Sequence, residues 1–154
     1  MTQRMELATV RDRLAVDALV TDYAAAVDDG DWAAYRELFA PDGRADYRSA
    51  GGIEADVERI VEWLAESMRP FATRQHLLVN RRVRFGALDH ETGDTAEVRA
   101  DYVSPLLLTA GADGASGAPD VVCGGRYVFG AVRTADGWRL DRVVVQEKWR
   151  RPAG

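Results

Sequence analysis

Apolar and polar positions change rhythm twice along the chain, and each change marks an element. Leu7, Leu14, Ala15, Ala18, Leu19, Tyr23, Ala26 and Val27 recur at helical spacing with charged residues between them, which predicts a long first helix. Asp28-Asp29-Gly30 stops it, because Gly30 accepts the left-handed conformation that caps a helix C-terminus. Asp31 supplies an N-cap for a short second helix, Trp32 to Phe39. Pro41-Asp42-Gly43 reads as a turn, and Gly43 to Arg48 alternates as a short strand. Val57, Ile60, Val61, Leu64 and Met68 form one stripe of a third helix, which Pro70 ends.

Beyond Pro70 the period shortens to two. Residues 72–88 and 94–108 alternate as strands, with a turn at Gly93-Asp94 between them. Thr109 to Ala118 is rich in Gly, Ala and Ser and reads as a mobile loop. Two further strands, about 119–133 and 137–149, are joined by the hairpin signal Ala135-Asp136-Gly137. Helices first and long antiparallel strands afterwards make an α+β arrangement, with helices on one face of a curved sheet. No repeat, low-complexity tract or linker divides residues 1–154, so one domain is expected.

Composition narrows the class. A 154-residue chain with 47% hydrophobic and 29% charged residues has the make-up of an ordinary globular protein. A net charge of −5 disfavours non-specific nucleic-acid binding, and the short basic runs Arg81-Arg82 with Arg84 and Lys148 to Arg151 read as solvated faces. The charged N-terminus is unlike a signal peptide, and no apolar run approaches a membrane span. Cys123, the only cysteine, allows no internal disulfide and reads as a small buried filler. A cytoplasmic protein is expected, without contact to nucleic acid or membrane. His76 and His90 lack metal-ligand spacing, so no metal site is expected. His90, in the turn-like Asp89-His90-Glu91-Thr92-Gly93, reads as solvated.

Three stretches carry a family likeness: Tyr23-Ala-Ala-Ala-Val-Asp28-Asp-Gly-Asp-Trp32 with Leu38-Phe39-Ala40; Thr73-Arg-Gln-His76-Leu-Leu-Val-Asn80; and Gly125-Arg-Tyr127 leading to Asp136-Gly-Trp138-Arg. Together with the element order they make nearly the whole chain similar to the SnoaL-like and nuclear-transport-factor-2-like superfamily. The likeness is nearest the branch with scytalone dehydratase, bile-acid 7α-dehydratase and polyketide cyclases. It implies a cone-shaped α+β barrel, three N-terminal helices packed on a curved, mainly antiparallel sheet that encloses a pocket. It implies cofactor-independent chemistry on a small hydrophobic substrate and a homodimer formed through the sheet; Trp149 and Tyr127 are interface candidates that core packing explains equally well. The family's first-helix tyrosine and aspartate fall on Tyr23 and Asp28, its pocket histidine on His76, and a first-strand tyrosine on Tyr47. Scytalone dehydratase has a second pocket histidine on the next strand; here the best match is Asp101.

The residues themselves admit this chemistry. His76, Leu78 and Asn80 share one face of an alternating segment, a pocket wall with polar insertions, although a lone histidine is also a common core residue. Residues alone do not select Asp28 over Asp29; the family pattern does. Tyr23 and Asp28 lie about 140° apart on an ideal helix, so both serve one pocket only if it wraps around the helix end. If Asp28 holds one ring nitrogen of His76, the other moves protons while Tyr23 and Tyr47 stabilise a developing enolate. The reading is a dehydratase-type lyase or a cyclase acting on a small carbonyl compound such as a polyketide or steroid. Catalytic candidates are His76, Asp28, Tyr23, Tyr47 and Asp101; substrate-binding candidates are Asn80, Arg99 and Leu78. Two alternatives stand beside it: epoxide opening by Arg99 and Asp101, which otherwise read as a surface ion pair, resembling limonene epoxide hydrolase with Asp141 as a further carboxylate, and a non-catalytic binding or assembly module.

Overall fold

The computed structural model describes residues 2–109 and 118–152; the loop expected over Thr109 to Ala118 falls largely outside them. Helix α1 (Gln3–Asp29) begins at Thr2, whose hydroxyl accepts from Met5 N–H, and stops where Gly30 turns left-handed at φ 65°. Its buried line is Val16, Leu19, Val20, Tyr23, Ala24, Ala26 and Val27. Leu7, Leu14, Ala15 and Ala18, expected on the same stripe, are exposed. Residues 14 and 16 lie about 200° apart on a helix, so the segment carries two apolar lines and only one meets the sheet.

Helix α2 (Trp32–Glu37) is shorter than expected, because Phe39 opens strand β1 (Phe39–Asp46) instead of continuing the helix. Tyr47 follows that strand and leads into a 3₁₀ turn, Arg48–Ala50. Strand β2 (Glu54–Asp56) pairs back on β1 and has no counterpart in the sequence reading, since three residues are too few to alternate. Helix α3 (Val57–Met68) starts at the Asp56 N-cap and buries Ile60, Val61 and Leu64. The segment expected as one strand over 72–88 is two, β3 (Phe71–Arg74) and β4 (Leu77–Phe85), broken at Gln75 and His76. Strands β5 (Thr95–Leu108), β6 (Val121–Thr134) and β7 (Gly137–Pro152) follow the expected order.

The sheet runs β2-β1-β7-β6-β5-β3, with β4 also on β5; β1 and β7 are parallel and the other pairs antiparallel. It curves strongly into a half-barrel that the three helices pack against, an α+β cone. Rows of inward side chains cross it. Val98, Phe129 and Val143 make one fully buried row, and Ala100, Tyr127 and Val145 the next. A bulge between Gly124 and Gly125 adds one residue to β7, and there a Cβ on residue 125 would meet Gln146 O at 2.1 Å. Past the bulge the alternation of β7 inverts. Glu147 and Arg150 face inward, and Trp149 lies on the outer face over Gly124. Of the two readings of Tyr127, interface or core, the structure gives the core, at 4% exposure.

His90 is not a free surface residue. Its Nδ1 lies 3.1 Å from Asp12 Oδ2, on the buried side of α1. Asp12 also accepts from Trp138 Nε1 at 3.1 Å and is approached by Arg133 Nη2 at 2.8 Å. Arg133 Nε donates to Asp94 Oδ2 at 3.1 Å, and Asp94 takes the backbone N–H groups of Asp89 and Glu91. This cluster ties the Gly93-Asp94 turn to the first half of α1.

Candidate active site

Between α1, α3 and the inner face of β5–β7 lies a cavity of about 280 Å³. Its walls are chiefly aromatic and aliphatic, with Tyr23, Tyr47, Tyr127 and His76 presenting polar groups to it. His76 sits in the break between β3 and β4, so its backbone N–H is not spent on the sheet. That N–H donates to Asp28 Oδ2 at 2.8 Å, while Asp28 Oδ1 lies 2.6 Å from ring Nδ1. One carboxylate thus holds both the main chain and the ring. A carboxylate only accepts, so Nδ1 carries a proton, and in the neutral ring Nε2 is the nitrogen with the lone pair. Arg74, two residues earlier, fixes the strand to the helix ends: it donates to the carbonyls of Asp28 and Met68, the last turns of α1 and α3.

The angular problem of Tyr23 and Asp28 resolves through His76. Tyr23 and Val27, four residues apart, line the cavity; Asp28 does not, and reaches it through the imidazole. Asp29 is exposed on the other side. The hydroxyls of Tyr23 and Tyr47 are in direct hydrogen-bond contact, and Tyr35 Oη lies 2.9 Å from Tyr47 Oη. Tyr35 is fully buried, and among the described residues Tyr47 is the only hydrogen-bond partner of its hydroxyl, so Tyr35, Tyr47 and Tyr23 form one chain of hydroxyls. That chain of hydroxyls ends at the cavity, which Tyr23 and Tyr47 both line. Burial raises the pKa of Tyr23, Tyr47 and Tyr127 well above that of an ordinary phenol, so all three remain O–H donors.

A second polar group lies along the row that starts at His76. Ser104 pairs with Cys123 on β6, and Cys123 with Arg150 on β7, so the three cross the sheet side by side. Arg150 Nη2 donates to Glu147 Oε1 at 2.8 Å, and all four residues line the cavity. Burial raises the Cys123 thiol, in keeping with a filler and not a nucleophile.

The structure brings Asp28, His76, Tyr23 and Tyr47 together and separates the other candidates from them. Leu78 is buried in the core beside the cavity without lining it. Asn80 has φ 51° at a bulge of β4, which turns it to the outer face, where it donates to Asp101 at 3.2 Å. Asp101 and Arg99 share a strand face, as expected, but it is the outer one, because Ala100, Tyr102 and Ser104 point inward. Asp101 pairs with Arg126 at 2.9 Å and Arg99 with Glu97 at 2.9 Å, so no Arg99–Asp101 pair forms. Asp141 also lies outside the cavity. Tyr35, Ser104, Glu147 and Arg150 were missed by the sequence reading. Ser104 alone left a legible signal, as the polar member of the inward series Ala96, Val98, Ala100, Tyr102, Ser104, Leu106. Among the described residues no three His, Cys, Asp or Glu side chains gather as a metal site, and no helix is long and apolar enough to cross a membrane.

Known proteins of similar sequence and shape agree with this architecture. The family model of the SnoaL-like domain matches residues 8–144. The uncharacterized protein Rv2910c of Mycobacterium tuberculosis is 32% identical over 140 residues, 91% of this chain and 88% of that one. Among solved structures, an aromatic ring hydroxylase candidate from Novosphingobium aromaticivorans superposes with a TM-score of 0.76 at 26% identity, covering 94% of both chains. A scytalone dehydratase candidate from the same species has a TM-score of 0.75 at 18% identity over 99% of this chain and 93% of its own. The hexachlorocyclohexane dehydrochlorinase LinA-type3 of Novosphingobium barchaimii has 0.76 at 14%, over 96% and 94%.

Proposed function

This chain belongs to the SnoaL-like domain family, and from that premise we propose that it is a lyase or cyclase that enolises a small hydrophobic carbonyl compound. Fold and neighbours support a cofactor-free lyase-type or ligand-binding role. The observation that carries the finer reading is His76, its Nδ1 held by Asp28 at 2.6 Å and its ring lining the cavity beside the tyrosine hydroxyls. In this reading Nε2 takes a proton from the carbon next to the carbonyl, and the C–H electrons move onto the carbonyl oxygen. The Tyr23 O–H, ordered by Tyr35 and Tyr47, stabilises that oxygen. In a dehydration the imidazolium returns the proton to a β-hydroxyl, which leaves as water as the enone forms. Asp28 stabilises the imidazolium and keeps the ring in one tautomer. At about 280 Å³ the cavity is at the small end of ligand pockets, which favours a one- or two-ring polyketide-like compound over a steroid.

Exchange of the α-protons of 1-tetralone for deuterium, followed by NMR, tests the proton transfer without the natural substrate. The wild type should accelerate exchange and His76→Ala should lose about 10²–10⁴-fold of it. Binding without exchange in the wild type would sink the enzymatic reading in favour of a binding module. The epoxide-opening reading gains nothing from Arg99 and Asp101, which have other partners on the outer face. That face also exposes Leu77, Val79, Val103 and Trp149, and in our reading a second copy of the chain covers it. A monomer by light scattering would refute the dimer.

A further inference from the structure

Ser104 is 1% exposed and lines the cavity, yet its Oγ has no hydrogen-bond partner among the described residues. A hydroxyl buried without a partner works against folding, and native interiors rarely keep one. Its neighbours in the row are polar. The register that pairs Leu77 with Val103 sets His76 next to Ser104 on one side, and Cys123 and Arg150 follow on the other. Arg150 is engaged twice by Glu147, through Nη2 at 2.8 Å and Nε at 3.4 Å. Each charge therefore answers the other, and the pair offers a ligand donors and acceptors without a net charge. Cys123, between Ser104 and Arg150, donates weakly to the Ser104 carbonyl at 3.8 Å and leaves the Oγ free.

We propose that Ser104, with the Glu147–Arg150 pair, forms a specificity subsite for a second, neutral oxygen of the ligand, a hydroxyl or phenol remote from the reacting carbonyl. The inference rests on reading this cavity as the ligand site. It makes the substrate class an oxygenated ring compound with two separated oxygen functions, one served by Tyr23 and His76 and one by Ser104. A carboxylate at the second position is disfavoured, because it would compete with Glu147 for Arg150. The balanced pair instead suits a group that both donates and accepts, as the serine hydroxyl does.

The experiment compares the affinities of 1-tetralone, 5-hydroxy-1-tetralone and 7-hydroxy-1-tetralone, measured by calorimetry on wild type, Ser104→Ala and Arg150→Met. Wild type should bind one hydroxylated isomer about 10-fold tighter than the parent ketone. Ser104→Ala should erase that preference and Arg150→Met should weaken it, read as the ratio of hydroxylated to parent ketone affinity within each variant. Because Ser104 Oγ has no protein partner among the described residues, Ser104→Ala should melt at or above the wild-type Tm, which separates a ligand contact from a structural one. Equal binding of all three ketones by wild type, no binding of any, or a preference that survives Ser104→Ala would overturn the subsite. His76→Ala serves as the cross-check. It should keep the hydroxyl preference while losing α-proton exchange, so absent exchange alone strikes the proposed chemistry and an absent preference alone strikes this subsite.

Discussion

Asp28, in the last turn of α1, holds the ring of His76; Asp12, about four and a half turns earlier on the same helix, holds the ring of His90. Both contacts run from a carboxylate to Nδ1, at 2.6 and 3.1 Å. Their surroundings differ. Asp12 is shared among His90, Trp138 and Arg133, and Arg133 is itself tied to Asp94. Burial pushes Asp12 and Asp94 up. For Asp12 the bonds from Arg133 and Trp138 outweigh it, and for Asp94 the bonds from the Asp89 backbone and Arg133 do, holding both carboxyls below their ordinary value. Among the described residues no cationic side chain meets the Asp28 carboxylate; both its oxygens go to His76. One pair is a brace whose charges are consumed by one another. The other leaves the second ring nitrogen uncommitted beside a cavity. A His–Asp contact by itself therefore says little about catalysis; the partners of the carboxylate and the space beyond the ring decide it.

The contrast is broken most directly by exchanging the two histidines for alanine one at a time. His76→Ala should cost about 10²–10⁴-fold in α-proton exchange with little change in Tm, and His90→Ala should leave exchange intact. Equal losses from both would dissolve the distinction. Next in size is the brace. Arg133→Ala strands the Asp12 and Asp94 carboxylates and should destabilise the fold by about 3 kcal/mol in denaturant melts, with activity per folded molecule unchanged. Asp28→Asn should come close behind, lowering exchange roughly 10²-fold. Nitrogen chemical shifts should then show the His76 ring shared between tautomers where the wild type shows Nδ1–H alone; an unchanged tautomer would mean that Asp28 does not set it.

The pH dependence of stability sharpens the same comparison. Because folding depresses the Asp12 and Asp94 values, their stabilisation is complete above the ordinary carboxylate range near pH 4 and is lost as pH falls through the folded-state values. Asp12→Asn should flatten that acid limb in thermal melts between about pH 5 and 2. The smallest effect belongs to Tyr35→Phe. It removes the hydroxyl that orders Tyr47 and Tyr23 and should lower exchange only several-fold, about 1 kcal/mol. A full-strength Tyr35→Phe enzyme would dismiss the proton ordering.

The helices and most strands were legible because burial on one face imposes a period that survives in the chain. Ala96, Val98, Ala100 and Tyr102 alternate with Glu97, Arg99 and Asp101 on β5, and that pattern already turns Arg99 and Asp101 outward. Reading those two as pocket residues followed the family likeness against the local period, and the period prevailed. His76 and Asp28 came from the likeness; no spacing rule links residues 48 apart in the chain. Tyr35 was silent because a buried tyrosine on a short helix looks the same whether or not its hydroxyl is used.

By itself the sequence determined the α+β order, the stop at Gly30, the hairpin at Ala135-Asp136-Gly137 and the inward face of β5, all local consequences of backbone geometry and side-chain period. Tertiary structure decided the rest. The break at Gln75-His76 frees an N–H for Asp28. The β4 bulge turns Asn80 outward, and the β7 bulge exchanges Trp149 for Arg150 on the cavity face. Only packing distinguishes two apolar lines on α1. A single extra residue in a strand reverses every later side chain, and nothing in the local pattern records it, since its cause lies in the neighbouring strand.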